Sequence, residues 1–107
     1  MPSERAGTAT PDDRTIRPRG EIDLANVAVI VHPVDEALAQ GVKHIVVDLA
    51  EVTYFGSPVL GALLDGRKRC EAAGATFNVR VVDERQRRLF EITGLVALLE
   101  QTDAPDA

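Results

Sequence analysis

The clearest strand signal in the chain is His44-Ile45-Val46-Val47-Asp48-Leu49. A continuous Ile-Val-Val run suits a strand buried on both faces, the central position of a helix-covered sheet. Ala75 to Val82 alternates instead, with Phe77, Val79 and Val81 on one face, and predicts a second strand. Arg14-Thr15-Ile16-Arg17-Pro18 predicts a short strand at a sheet edge, because Pro18 cannot donate to a ladder. Gly20 to Leu24 reads as strand or turn, and Ala50 to Gly56 as a loop.

Between these segments the apolar spacing becomes helical. Val27, Val31, Val34 and Leu38 predict a helix over Ala25 to Gln40, with Asp23 as its cap and Gly41 as its stop. Pro33 conflicts with a straight helix there. Either the helix is kinked, or its regular part begins near Pro33, which then sits in the first turn. A second helix is predicted over Pro58 to Ala73, ended by Gly74. After Asp83, the residues Leu89, Phe90 and Ile92 predict a third, up to Gly94, and a short helix follows over Leu95 to Glu100. Strands alternating with helices imply an α/β domain with a partly parallel sheet. Residues 1–13 and 102–107 lack periodicity and read as mobile tails around one domain over 14–101.

Composition narrows the function. The 107 residues suit one domain. There is no Trp, one Tyr and three Phe, so the core must be aliphatic. A net charge of −5 argues against nucleic acid as the main partner, since phosphate backbones are held by clustered Lys and Arg. It argues equally against an anionic membrane surface. Cys70 stands alone, so it forms neither an internal disulfide nor a thiolate cluster. It shares a stripe with Leu63 and Ala73, which favours a buried apolar role. No signal-peptide pattern and no membrane-length apolar run are present, which makes the cytoplasm the expected compartment.

The most informative local feature is Ser57-Pro58. Serine is a preferred helix cap and proline a preferred first helical residue, while Gly56 frees the backbone to turn. The same position suits an anion, because free N–H groups and the positive end of the helix dipole meet there. A phosphate on Ser57 would add about two negative charges to that surface. From local chemistry alone, the capping role comes first. Catalytic sets are weak. His32 and His44 have no metal-ligand spacing with Cys70, and Phe55-Gly56-Ser57-Pro58-Val59 lacks the second glycine of a nucleophile elbow. The chain is expected to be no enzyme and to use no cofactor or metal. Arg67-Lys68-Arg69 and Arg85-Gln86-Arg87-Arg88 read as solvated helix faces.

Four blocks together resemble the STAS domain, the family of sulphate transporters and anti-sigma factor antagonists. They are Gly20-Glu21-Ile22-Asp23-Leu24, Val46-Val47-Asp48-Leu49, Val52 through Leu63, and Arg88-Leu89-Phe90-Glu91-Ile92-Thr93-Gly94-Leu95. The resemblance implies an α/β fold with a mixed β-sheet of about four strands and helices packed mainly on one face. Without membrane spans, the chain is most similar to the stand-alone branch, the bacterial anti-sigma factor antagonists. For that branch the resemblance implies binding to an anti-sigma factor that is also a serine kinase, release of a sigma factor, and weakening of binding by phosphorylation. Carried over, Ser57 matches the phosphorylated serine, Asp23 an acidic position at the partner-facing surface, and Gly61 a glycine of the same helix. Gly56, Pro58 and Val59 complete the expected contact surface. They depart from the common Asp-Ser-Ser/Thr-Gly-Leu-Gly pattern: the acidic residue is Gly56, the second hydroxyl residue is Pro58, and a glycine is Val59. The altered motif leaves a second reading, a scaffold or adaptor without the phosphoswitch, in a signalling or lipid-transport complex. The expected state is a monomer or weak dimer.

Overall fold

A computed structural model of the chain describes residues 12–99. The expected tails, apart from Asp12 and Asp13, lie outside them, as does Glu100 at the end of the expected last helix. Asp13 itself opens a strand. The order is β1 (Asp13–Ile16), β2 (Gly20–Ile22), α1 (Ala28–Ala39), β3 (His44–Asp48), β4 (Val52–Phe55), α2 (Ser57–Ala72), β5 (Thr76–Arg80), α3 (Glu84–Ile92) and a 3-10 turn over Val96–Leu98.

The α/β class is as expected, with more detail in the sheet. Among the described residues five strands pair, all in parallel and not in the expected mixed sheet of about four, as β1-β3-β5 and β2-β4. Helical crossovers explain the direction, since α1 links the β1/β2 segment to β3/β4 and α2 links that to β5. β3 is central, and its Ile45 and Val47 are fully buried. β1 lies at the edge, and Pro18 follows it outside the ladder. The segment expected to be a loop contains β4, whose Val52 and Phe55 are buried. Its Val-Thr-Tyr-Phe composition favours a strand.

α1 and α2 pack on each other and against the three-stranded sheet. α1 contributes Ile30, Val34 and Ala37, and α2 contributes Val59, Leu63 and Cys70, to one core with Phe77 and Val79. Pro33 lies inside α1, which is already regular from Ala28. The option of a helix starting at Pro33 is therefore excluded. The missing N–H falls opposite the carbonyl of Val29, an exposed residue, so water can satisfy it. All three helices stop at a glycine with positive φ: Gly41 at 83°, Gly74 at 78° and Gly94 at 77°. Each ends in the same paired bonds, for example Val42 N–H to Ala37 O at 3.0 Å and Gly41 N–H to Leu38 O at 3.1 Å.

Asp48 closes the far end of the three-stranded sheet. Its side chain is 7% exposed and accepts from Arg17 Nε at 3.3 Å and Arg80 Nη1 at 3.5 Å. Its other oxygen accepts the Ala50 N–H at 2.9 Å. One buried carboxylate thus ties residues next to β1 and β4 to the end of β5. In the first cationic run Arg67 pairs with Glu71 and Arg69 with both Asp35 and Asp65, while in the second Gln86 is buried and not on a solvated face. The Arg69–Asp35 pair joins α1 to α2.

Candidate functional site

In a parallel sheet the carboxyl ends of the strands point the same way and gather the loops that follow them. β2 and β4 end together, with Ile22 paired to Phe55, and Gly56 N–H donates to Ile22 O at 3.2 Å. Asp23 and Leu24 therefore emerge beside Gly56, Ser57 and Pro58.

The expected cap at Ser57 shifts by one residue. The N-cap of α2 is Gly56, extended at φ −97° and ψ 178°, and no side chain caps the helix. Ser57 becomes the first helical residue and Pro58 the second. Glycine serves as a cap through its backbone, which explains how the helix starts without using the serine hydroxyl. Ser57 is exposed, and the first turn of α2 carries no acidic side chain. The positive end of the helix dipole thus has no carboxylate from its own first turn.

Asp23 is exposed, as expected of a surface residue, but does not cap α1. Val27 holds the N-cap position with no side-chain bond. Asp23 Oδ1 instead accepts the Ala25 N–H at 2.9 Å, and the Asp23 N–H donates to Asn26 Oδ1 at 2.8 Å. Asn26 Nδ2 donates to Glu21 O at 2.9 Å, tying this turn back to β2. Two short polar residues, Asp23 and Asn26, close a turn ahead of the helix, so Asp23 caps that turn and not the helix.

Gly61 lies one turn beyond Ser57 on the same exposed face, with nothing within 4 Å of a Cβ placed on it. Val59 is fully buried and takes no part in this surface. Its phase along α2 matches Leu63, Gly66 and Cys70, the core-facing stripe. Two residues not singled out beforehand do belong here. Leu24 is 74% exposed and Tyr54 is 60% exposed. A Cβ on Gly56 would stand 3.4 Å from Pro58 Cδ and 3.9 Å from Tyr54 Oη, so the tyrosine reaches along the strand end to the cap. An exposed leucine next to a polar turn was the sequence signal for the first. Tyr54 was hidden by reading β4 as a loop.

The other candidates are structural. Cys70 is fully buried, and burial first, then the Glu71 charge, pushes its thiol above the usual range. His44 Nδ1 lies 2.9 Å from Thr76 Oγ1, a contact between adjacent strands.

The fold is that of a small α/β domain built on parallel strands, and comparison with known families assigns it. The family model described as Mlab, STAS domain matches residues 6–100, and the chain belongs to the STAS family. Its structure is similar to that of the anti-sigma factor antagonist SpoIIAA in its unphosphorylated form, at 22% identity and a TM-score of 0.74, over 86% of this chain and 81% of that one. The phosphorylated form of SpoIIAA, the Bacillus cell fate determinant, matches at 24% identity and 0.67, over 86% and 84%. An anti-sigma factor antagonist from Mycobacterium paratuberculosis matches at 23% and 0.71, over 82% and 74%. At these identities the likeness shows the fold. Among the described residues, no helix is long and apolar enough to cross a membrane.

Proposed function

We propose that this chain is an anti-sigma factor antagonist, which binds an anti-sigma factor of the serine-kinase type in the bacterial cytoplasm and so frees a sigma factor. The observation that carries this reading is the exposed Ser57, released from capping, beside exposed Leu24 and Tyr54 in a STAS fold. The contact surface comprises Asp23, Gly56, Ser57, Pro58 and Gly61 together with Leu24 and Tyr54. The two apolar residues supply area to bury, and Gly61 keeps the helix face low so that a partner can approach closely.

Control acts at Ser57. Transfer of the terminal phosphoryl group of ATP to Ser57 Oγ releases ADP, and the hydroxyl proton leaves to a base of the kinase. The phosphate then sits at a helix N-terminus that has no acid of its own. The dipole favours it, so phosphorylation leaves α2 folded. Its effect on the partner comes from about two added charges and their water shell in the contact area. Ser57→Asp is expected to weaken binding to the cognate kinase-type anti-sigma factor about tenfold or more, whereas Ser57→Ala binds like the parent. Isothermal titration with both variants tests this, and equal affinities would remove the switch role.

A second reading is favoured by Pro58 at the second helical position. It fixes the backbone where a kinase must take hold of the segment. On that reading the chain is a scaffold without a phosphoswitch, in a signalling or lipid-transport assembly. Intact mass after incubation with the kinase and ATP separates the two: no added phosphate favours the scaffold.

A further inference from the structure

β3 is flanked on both sides, by β1 and β5, but β4 pairs with β2 alone among the described residues. β5 ends at Arg80 and the chain turns away into α3. Beside β4 this leaves a slot of about 210 Å³, lined by Thr53, Tyr54, Phe55, Gln86 and Leu89, with Asp83 and Arg85 at its rim. Successive side chains of a strand point to opposite faces, so three consecutive lining residues mean that the slot runs along the strand edge. The ladder register agrees. Ile22 pairs with Phe55 and accepts from Gly56 N–H, so the bonds to β2 come from the neighbours of Phe55. The N–H and C=O of Phe55 itself point to the open edge.

Gln86 marks this edge. Its Nε2 donates to Val52 O at 3.0 Å, placing a side-chain amide where the peptide group of a neighbouring strand would lie. Gln86 is 9% exposed, and its Oε1 is buried with no hydrogen-bond partner. A buried amide oxygen without a donor is a standing cost, relieved by an incoming N–H. The rim carries Asp83 and Arg85, whose Oδ1 and Nε lie 3.7 Å apart, with Arg88 adding one more positive charge beside them. Asp83 turns its Oδ1 back to the Arg85 N–H at 2.7 Å, capping α3. The Arg85 side chain is 92% exposed, and Arg88 follows on the same side of the helix.

We propose that the open edge of β4 takes an extended acidic segment of a partner protein as an added strand. Main-chain N–H groups of the segment pair with Phe55 C=O and Gln86 Oε1, one apolar side chain enters the slot against Leu89, and carboxylates meet Arg85 and Arg88. This edge adjoins the Ser57 surface through Tyr54, but strand addition does not depend on the switch.

The test uses the ¹⁵N-labelled full chain and three short synthetic peptides. One alternates glutamate and valine, one alternates lysine and valine, and one is the glutamate peptide with N-methylated amides. The glutamate peptide is expected to slow exchange of the Phe55 amide about tenfold or more and to shift the Gln86 side-chain amide signals. The N-methylated peptide does neither, and the lysine peptide binds about fivefold more weakly or worse. Arg85→Glu reverses the charge preference, at an exposed position that leaves the fold intact. Strand addition is read from Phe55 protection and the Gln86 amide with no kinase or anti-sigma factor present, so the two readings fail independently. Strand addition at β4 is overturned if millimolar glutamate peptide leaves Phe55 unprotected, if the N-methylated peptide protects it equally, or if the preference ignores Arg85→Glu.

Discussion

Gly61 and Gly66 lie on the same helix and carry opposite expectations. Nothing stands within 4 Å of a Cβ on Gly61, so Gly61→Ala removes backbone entropy at no steric cost. It should stabilise the chain by about 0.5–1 kcal/mol in urea unfolding. A Cβ on Gly66 would lie 3.1 Å from Cε1 and 3.2 Å from Cζ of Phe77, a ring that is itself buried. Gly66→Ala should cost about 1–3 kcal/mol, measured the same way. Cys70 gives a third expectation. Its raised thiol pKa favours the protonated form in the folded chain. Stability is therefore intact below the ordinary thiol range and falls as pH rises through about 8.5 and beyond. A thiol-labelling reagent at neutral pH should react only on unfolding. At this scale the sequence was legible wherever helical phase could be read. Val59 shares the phase of Leu63 and Cys70, which already pointed to the core. Matching it to a surface motif instead put it on the wrong side of α2.

At the scale of the element, what decided legibility was length and punctuation. The long runs announced themselves, and each helix ended at the glycine expected to end it. β4 was missed because its Val-Thr-Tyr-Phe stretch is short and its burial does not alternate. Val52 and Phe55 are buried, with Thr53 and Tyr54 exposed between them. A register irregularity in its pairing with β2 explains the broken pattern. Helix starts were harder to read than stops. Both Asp23 and Ser57 have the chemistry of a cap, but only Asp83 acts as one, through the Arg85 N–H. Serine and aspartate favour turns as much as helix starts, and only the backbone angles separate the two. Pro33 makes an element-scale prediction. Restoring an N–H for the Val29 carbonyl, Pro33→Ala should raise the unfolding free energy by about 1 kcal/mol or more, read from chemical denaturation.

For the molecule as a whole, a buried polar group lies where the two sheets meet. It is Asp48, at the end of β3, shared by Arg17 and Arg80. Both arginines remain partly exposed, so water recovers them when the carboxylate is removed. Asp48→Ala should therefore cost only about 1–2 kcal/mol, seen as a lower urea midpoint with an unchanged slope. The class of fold was legible from the alternation of strands and helices. The division into two parallel sheets was not, because it depends on where each long strand breaks, near Pro18 and near Ala50.

The Gly56 cap has a consequence for how this surface can change over generations. Since main-chain atoms alone start α2, the fold places no demand on the hydroxyl at position 57. Ser57→Ala should shift the unfolding free energy by less than about 0.5 kcal/mol, where a serine acting as the cap would lose about 1 kcal/mol. Lineages can therefore acquire, discard or regain a modifiable residue there by single substitutions, none of which passes through a poorly folded ancestor.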